Sequence, residues 1–70
     1  MALEKVHRKI LQALVSSGTA ETASRIASLS SLTEAQVVRN MNPLIDGEYV
    51  LSATNCCYVI TDKGRQELKD

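Results

Sequence analysis

The sequence predicts an α+β domain made of three helices, a two-stranded β-hairpin and a short closing helix. Three observations carry that prediction. Apolar residues recur at helical spacing in successive segments up to about residue 46. The texture then changes to β-branched and aromatic residues on both sides of a turn-forming stretch. A threonine followed by an aspartate then opens a last helical segment.

Leu3, Val6, Ile10, Leu11, Leu14 and Val15 lie on one face of a first helix, and Lys5, Arg8, Lys9 and Gln12 lie on its wet side. Ser16-Ser17-Gly18 ends it, glycine being able to take the left-handed conformation that closes a helix. Thr19 or Thr22 caps a second, short helix that buries Ala23, Ile26, Ala27 and Leu29 and ends in the serine-rich stretch Ser28 to Ser31. Thr33-Glu34-Ala35-Gln36 has the capping-box pattern, in which threonine accepts from the third residue's amide and glutamine reaches back. A third helix, about Thr33 to Ile45, therefore starts there. Val37, Met41 and Leu44 form its inner face, and Asp46-Gly47 ends it. Pro43 removes the amide that would bond the Arg39 carbonyl, so a kink or early unwinding is expected near Asn42.

Tyr49 to Thr61 reads as the hairpin, with Ala53-Thr54-Asn55 at its turn. If Cys56, Tyr58 and Ile60 face the core, alternation places Cys57 and Val59 outward, beside either Val50 or Leu51. Thr61 and Asp62 cap the last helix through about Leu68, which Gly64 weakens by roughly 1 kcal/mol relative to alanine.

The chain has 70 residues, room for one modest core, so residues 1–70 are expected to form a single domain without a separate catalytic unit. A core of this size leaves only a small margin of stability, which self-association would supplement. Cys56 and Cys57 are adjacent, without other cysteines and without zinc-site spacing. Neighbours in a strand point to opposite faces, so two reduced thiols are expected, as in a reducing cytosol. His7 is expected at the surface, and neither metal nor cofactor is expected. Met1-Ala2-Leu3-Glu4-Lys5 runs straight into amphipathic sequence without a signal-peptide core, which predicts a cytoplasmic protein and no membrane partner.

The order of elements is that of the winged helix, and the spacing permits a closer comparison. Ile26-Ala27, Leu32, Thr33, Val37, Arg39, Met41 and Leu44 stand in the register typical of winged helix-turn-helix transcriptional regulators. Tyr58-Val59-Ile60-Thr61-Asp62-Lys63-Gly64-Arg65-Gln66-Glu67-Leu68 resembles the wing strand and following helix of multiple-drug-resistance and PadR-type regulators, and the size is similar to that of the very small regulators of fimbrial operons. Two departures stand out. The glycine of the pattern falls four residues after the last core leucine, whereas Gly47 is three after Leu44, and Pro43 is unusual there. Both suggest a shortened end to the third helix.

The resemblance implies a DNA-binding regulator, with double-stranded DNA as partner and the third helix in the major groove. With Val37, Met41 and Leu44 inward, a rotation of about 100° per residue puts Ala35, Gln36, Arg39 and Asn42 on or near the outside. Arg39 suits guanine and Gln36 suits adenine. Thr33 with the helix-terminal amides suits a phosphate, and Arg25 and Ser31 lie where the backbone would pass. Thr54 and Asn55 at the hairpin tip offer hydrogen bonds to phosphate. Each has a plainer reading: Gln36 completes a cap, Thr33 is a cap, and Arg25, Ser31 and Arg39 are solvated surface.

Charge argues the other way. Eight basic residues balance eight acidic ones, and Tyr49 to Thr61 carries no charge, although wings that enter the minor groove commonly present a cation. Monomeric DNA binding is therefore expected to be weak and salt-sensitive, strengthened by a homodimer or a second regulatory protein. Cys57 and Val59 on the outer hairpin face are the candidate protein contacts. The alternative function is a protein-interaction module acting as cofactor or antagonist of another regulator. Catalysis is not expected: the chain has one histidine, no nucleophile triad and no phosphate-binding glycine loop.

Overall fold

In a computed structural model, which describes residues 3–53 and 56–69, the elements run α1 (Lys5–Ser17), α2 (Ala23–Ser30), α3 (Glu34–Asp46), β1 (Val50–Ser52), β2 (Tyr58–Ile60) and α4 (Asp62–Leu68). α1 starts two residues later than the apolar pattern suggested, Leu3 packing from the preceding segment, and ends at Ser17 ahead of Gly18 as expected. Gly18 closes it with φ +70, and its amide donates to the Leu14 carbonyl. Thr22, rather than Thr19, caps α2 by accepting from the Arg25 amide at 3.1 Å.

One cluster of buried side chains holds the helices together: Ile10, Leu11, Ala13 and Leu14 from α1, Ile26 and Ala27 from α2, Val37, Met41 and Leu44 from α3, and Val50 from β1. Leu29 is not among them. It is 41% exposed, because a helix as short as α2 turns one narrow stripe to the core, Ile26 and Ala27 with half-buried Ala23 against them. His7 departs in the opposite sense, being 94% buried by virtue of its position on the inner side of α1 three residues before Ile10. Its Nδ1 accepts from the Glu4 amide at 3.1 Å, so a polar ring does the work of both core and cap. Arg8, expected on the wet side, instead ties α1 to α4 by donating to the Glu67 carbonyl at 2.9 Å.

α3 does not unwind at Pro43; it continues to Asp46. The turn beyond the proline is held by the Gly47 amide on the Pro43 carbonyl at 3.0 Å and by the Tyr49 amide on the Leu44 carbonyl at 2.9 Å. Gly47 is right-handed, and the left-handed residue is Glu48, with φ +66. The positive-φ position thus lies four residues after Leu44, where the regulator pattern has glycine, and a glutamate occupies it. Gly47 fits for another reason, since a Cβ there would come within 2.6 Å of the Tyr49 ring and force it to shift.

β1 and β2 pair antiparallel with Val50 opposite Ile60, Leu51 opposite Val59 and Ser52 opposite Tyr58. Opposed residues share a face, so Val50 and Ile60 point to the core while Leu51 and Val59 form the outer pair. Glu21 adds a single-residue bridge on the far side of β2, exchanging backbone hydrogen bonds with Tyr58 at 3.1 and 2.9 Å. A one-residue bridge has no period for sequence to display.

α4 is clasped to the turn that follows α3. Lys63 Nζ donates to the Gly47 carbonyl at 2.7 Å, the Thr61 hydroxyl to the Glu48 carbonyl at 2.6 Å, and the Thr61 amide to the Tyr49 carbonyl at 3.0 Å. The Thr61 hydroxyl also accepts from the Gly64 amide at 3.1 Å, capping α4. Lys63 further sits over the Tyr49 ring, 4.6 Å from its centre. The approach is close enough that Gly64 is buried, and a Cβ there would collide with the Tyr49 carbonyl and lie 2.7 Å from Ile60 Cγ1. The expected cost of Gly64 to helix stability is therefore outweighed by what its lack of a side chain permits.

The cysteines overturn the expectation of free thiols: Cys56 and Cys57 are bonded to each other. Strand alternation does not apply, because both precede β2, Cys56 in a bend and Cys57 in irregular chain. Cys56 is exposed and Cys57 half-buried, the reverse of the alternation extrapolated from β2. Among the described residues, no helix is long and apolar enough to cross a membrane.

Two substitutions test this packing. Gly64→Ala should destabilise by about 1–3 kcal/mol through overpacking, although helix propensity alone would give a gain of roughly 1 kcal/mol; a raised midpoint in urea would refute the close approach. Glu48→Gly should raise stability by about 0.5–1 kcal/mol by relieving the left-handed backbone, and unchanged or lowered stability would contradict the strain.

Candidate nucleic-acid interface

The outer surface of α3 follows from its inner one. With Val37, Met41 and Leu44 buried, Ala35, Val38, Arg39, Asn42 and Asp46 are left exposed along the helix. Thirteen residues at about 1.5 Å rise give a rod on the order of 20 Å long, suited in length and width to the major groove. The turn before it is set by Ser31, left-handed at φ +62, whose amide returns to the Ala27 carbonyl, joined by the Leu32 amide at 3.0 Å. Half-buried Leu32 anchors the turn against the core.

The capping box forms as its spacing predicts. The Gln36 amide donates to Thr33 Oγ1 at 3.1 Å, and the Thr33 amide donates to Gln36 Oε1 at 3.0 Å, with the Thr33 hydroxyl 3.3 Å from the same oxygen. The Gln36 acceptor is thus engaged at the cap, and a bidentate pair with adenine would require its release. Among the described residues Arg39 has no such commitment in its hydrogen bonding: it is exposed, and the residues one turn to either side, Ala35 and Asn42, are small or polar. Asn40, beside it, donates to the Gln36 carbonyl at 2.8 Å and belongs to the helix rather than to the outer face.

Val38 was not anticipated as part of this surface. It is 52% exposed between Ala35 and Asn42, and offers a branched apolar group of the kind that contacts a thymine methyl. Its signal was present, since it lies three residues after Ala35 and four before Asn42. Standing next to core Val37, it reads in sequence as more core.

The electrostatics are sparse. Arg25 is 61% exposed, but its Nε lies 3.9 Å from a Glu21 carboxylate oxygen. Glu34 is exposed in the first turn of α3, where helix amides would otherwise favour an anion, and Asp46 is exposed at the other end. Ser31 and Thr33 are exposed at the turn. The structure thus gathers Ser31, Thr33, Ala35, Gln36, Arg39 and Asn42 along one turn and helix, with Arg25 on the preceding helix. Thr54 and Asn55 lie outside the described residues. Cys57 and Val59 are both half-buried, and among the described hairpin residues the exposed large apolar side chain is instead Leu51, at 53%.

No family model matches the chain, and no curated protein matches it. Solved structures do. A candidate transcriptional regulator from Pseudomonas aeruginosa PA01 superposes with a TM-score of 0.83 at 17% identity, over 96% of this chain and 50% of that one. ZitR from Lactococcus lactis gives 0.80 at 22%, over 99% of this chain and 48% of that one. The DNA-binding TubR fragment from Clostridium botulinum gives 0.74 at 24%, over 99% of this chain and 96% of that one. The chain spans about half the length of the first two. At these identities the likeness is one of fold, and the fold is the winged helix.

Proposed function

We propose that this winged helix acts as a single-domain, non-enzymatic, DNA-binding transcriptional regulator, reading the major groove of duplex DNA with α3. The observation that carries the reading is the exposed row Ala35, Val38, Arg39 and Asn42 on a helix whose opposite side is locked into the core. In this reading Arg39 pairs with the two major-groove acceptors of guanine, Asn42 contacts a neighbouring base, and Val38 packs on a thymine methyl. Ser31 and Thr33, at the start of the helix, face phosphate, and Arg25 reaches the backbone when it leaves Glu21. The DNA-binding TubR fragment, of nearly the same length, supports a module of this size as sufficient.

Few cations are available for phosphate, so one copy holds DNA weakly, and a homodimer or second DNA-bound protein raises the affinity through linked contacts. One observation favours the second reading, a protein-contact module that assists or opposes another regulator. The outer face of the uncharged hairpin presents Leu51 with Val59, which suits an apolar partner better than a phosphate backbone.

The test is selection from a random duplex pool followed by titration of the selected duplex at low and physiological salt. Affinity should fall with a shallow slope of log affinity on log salt, on the order of −2 per chain. Arg39→Ala should weaken binding by about 1–3 kcal/mol and relax preference at one base pair. Equal binding by wild type and Arg39→Ala, or no duplex retained even at low salt, would overturn the reading.

A further inference from the structure

The bonded cysteines directly precede β2, beside backbone that is paired to two other segments. The Cys57 carbonyl accepts from the Ala53 amide at 3.0 Å and so closes the base of the loop between β1 and β2. The next residue, Tyr58, is paired on both sides, to Ser52 in β1 and to Glu21 ahead of α2. A bond between adjacent cysteines forms a small ring through the peptide that joins them, holding the backbone just ahead of Tyr58. Two reduced thiols would leave that peptide free to turn. The bond is also within reach of solvent, since Cys56 is exposed. Exposed disulfides are the ones that exchange readily with small thiols. No other cysteine exists in the chain to compete for either sulfur.

We propose that Cys56–Cys57 is a reversible thiol–disulfide modification site, whose exchange partner is a dithiol reductant in one direction and a disulfide oxidant in the other. A thiolate of the dithiol attacks one sulfur and the Cys56–Cys57 bond breaks, leaving a mixed disulfide and one free cysteine thiolate. The second thiol of the reductant then attacks the mixed bond and releases the other cysteine. Two electrons and two protons have passed to the pair, and the reductant leaves as a cyclic disulfide. Oxidation runs the same steps backwards. The modification reaches the Ala53–Cys57 closure, β2 and the Glu21 bridge, and leaves the α3 core contacts of Val37, Met41 and Leu44 as they are. Given the DNA-reading function proposed above, on which this consequence rests, the oxidised hairpin is pre-ordered against the duplex and the reduced one must be ordered on binding.

The experiment uses the full chain in air-equilibrated buffer and after dithiothreitol, with Cys56→Ser/Cys57→Ser as control. Iodoacetamide followed by intact mass measurement should add nothing before reduction and two groups after it. Amide spectra should shift at Ala53, Cys57, Tyr58 and Glu21 on reduction, with the amides of Val37 and Met41 unmoved. Affinity for the selected duplex should fall about two- to tenfold on reduction, and the double serine variant should match the reduced protein and ignore dithiothreitol. Alkylation of both cysteines without reductant, hairpin amides that do not move, or equal DNA affinity in the two states would each overturn the proposal. If no redox state binds DNA while the alkylation and amide results hold, the DNA reading has failed and the modification site stands.

Discussion

The arrangement depends on the clasp between the start of α4 and the turn after α3. Three consecutive carbonyls, those of Gly47, Glu48 and Tyr49, are taken by Lys63 Nζ, the Thr61 hydroxyl and the Thr61 amide. A turn with a left-handed glutamate is costly on its own, by about 1–2 kcal/mol, and would leave three carbonyls to water. The clasp supplies their partners and closes the last turn of α3 against the hairpin. It also explains the side-chain pattern around it: Gly64 because nothing larger passes the Tyr49 carbonyl, Gly47 because the Tyr49 ring lies against it, and Thr61 because one hydroxyl both caps α4 and reaches the turn.

The clasp has a consequence for charge. Lys63 is held over Tyr49 and on the Gly47 carbonyl, Arg8 is held on α4, and Arg25 stands beside Glu21. Three of the eight cations that would count toward phosphate in a tally of the sequence are thus occupied in holding the fold or screened by a neighbouring acid. α3 itself carries Glu34 and Asp46 against Arg39. In the proposed DNA-reading function, such a domain would gain little from counterion release and would depend more on base-edge contacts and on a second copy or partner than a basic domain.

Much of this was legible in the sequence because it is periodic or local. The Ile10, Leu11 and Leu14 stripe of α1, the inner face of α3, the Gly18 stop and the Thr33–Gln36 box all follow from spacing over a few residues and are present, whereas Val6 and Val15 are only half-buried and Ala13 is buried in the core. What was not legible depends on contacts between distant segments. Gly64 reads as a weak helix former until the Tyr49 carbonyl is beside it, and His7 reads as surface until its ring is seen turned back to the Glu4 amide. Leu29 reads as core because α2 is too short for its period to show which stripe is buried. For the candidate interface, the exposed row on α3 followed from its core residues, but Val38 was masked by its chemistry and the engagement of Gln36 by the cap could not be distinguished from base reading. The cysteine bond was hidden because alternation was extended past the end of β2.

The claim that joins these observations is that burial of Val37, Met41 and Leu44 turns the opposite side of α3 toward DNA. The most direct measurement is a residue-resolved amide titration of the chain with duplex DNA at low salt. The account predicts saturable shifts at Ala35, Val38, Arg39 and Asn42, with the α1 amides of Ile10 and Leu11 unmoved. Shifts confined to Leu51 and Val59, or no saturable shift along α3, would contradict it.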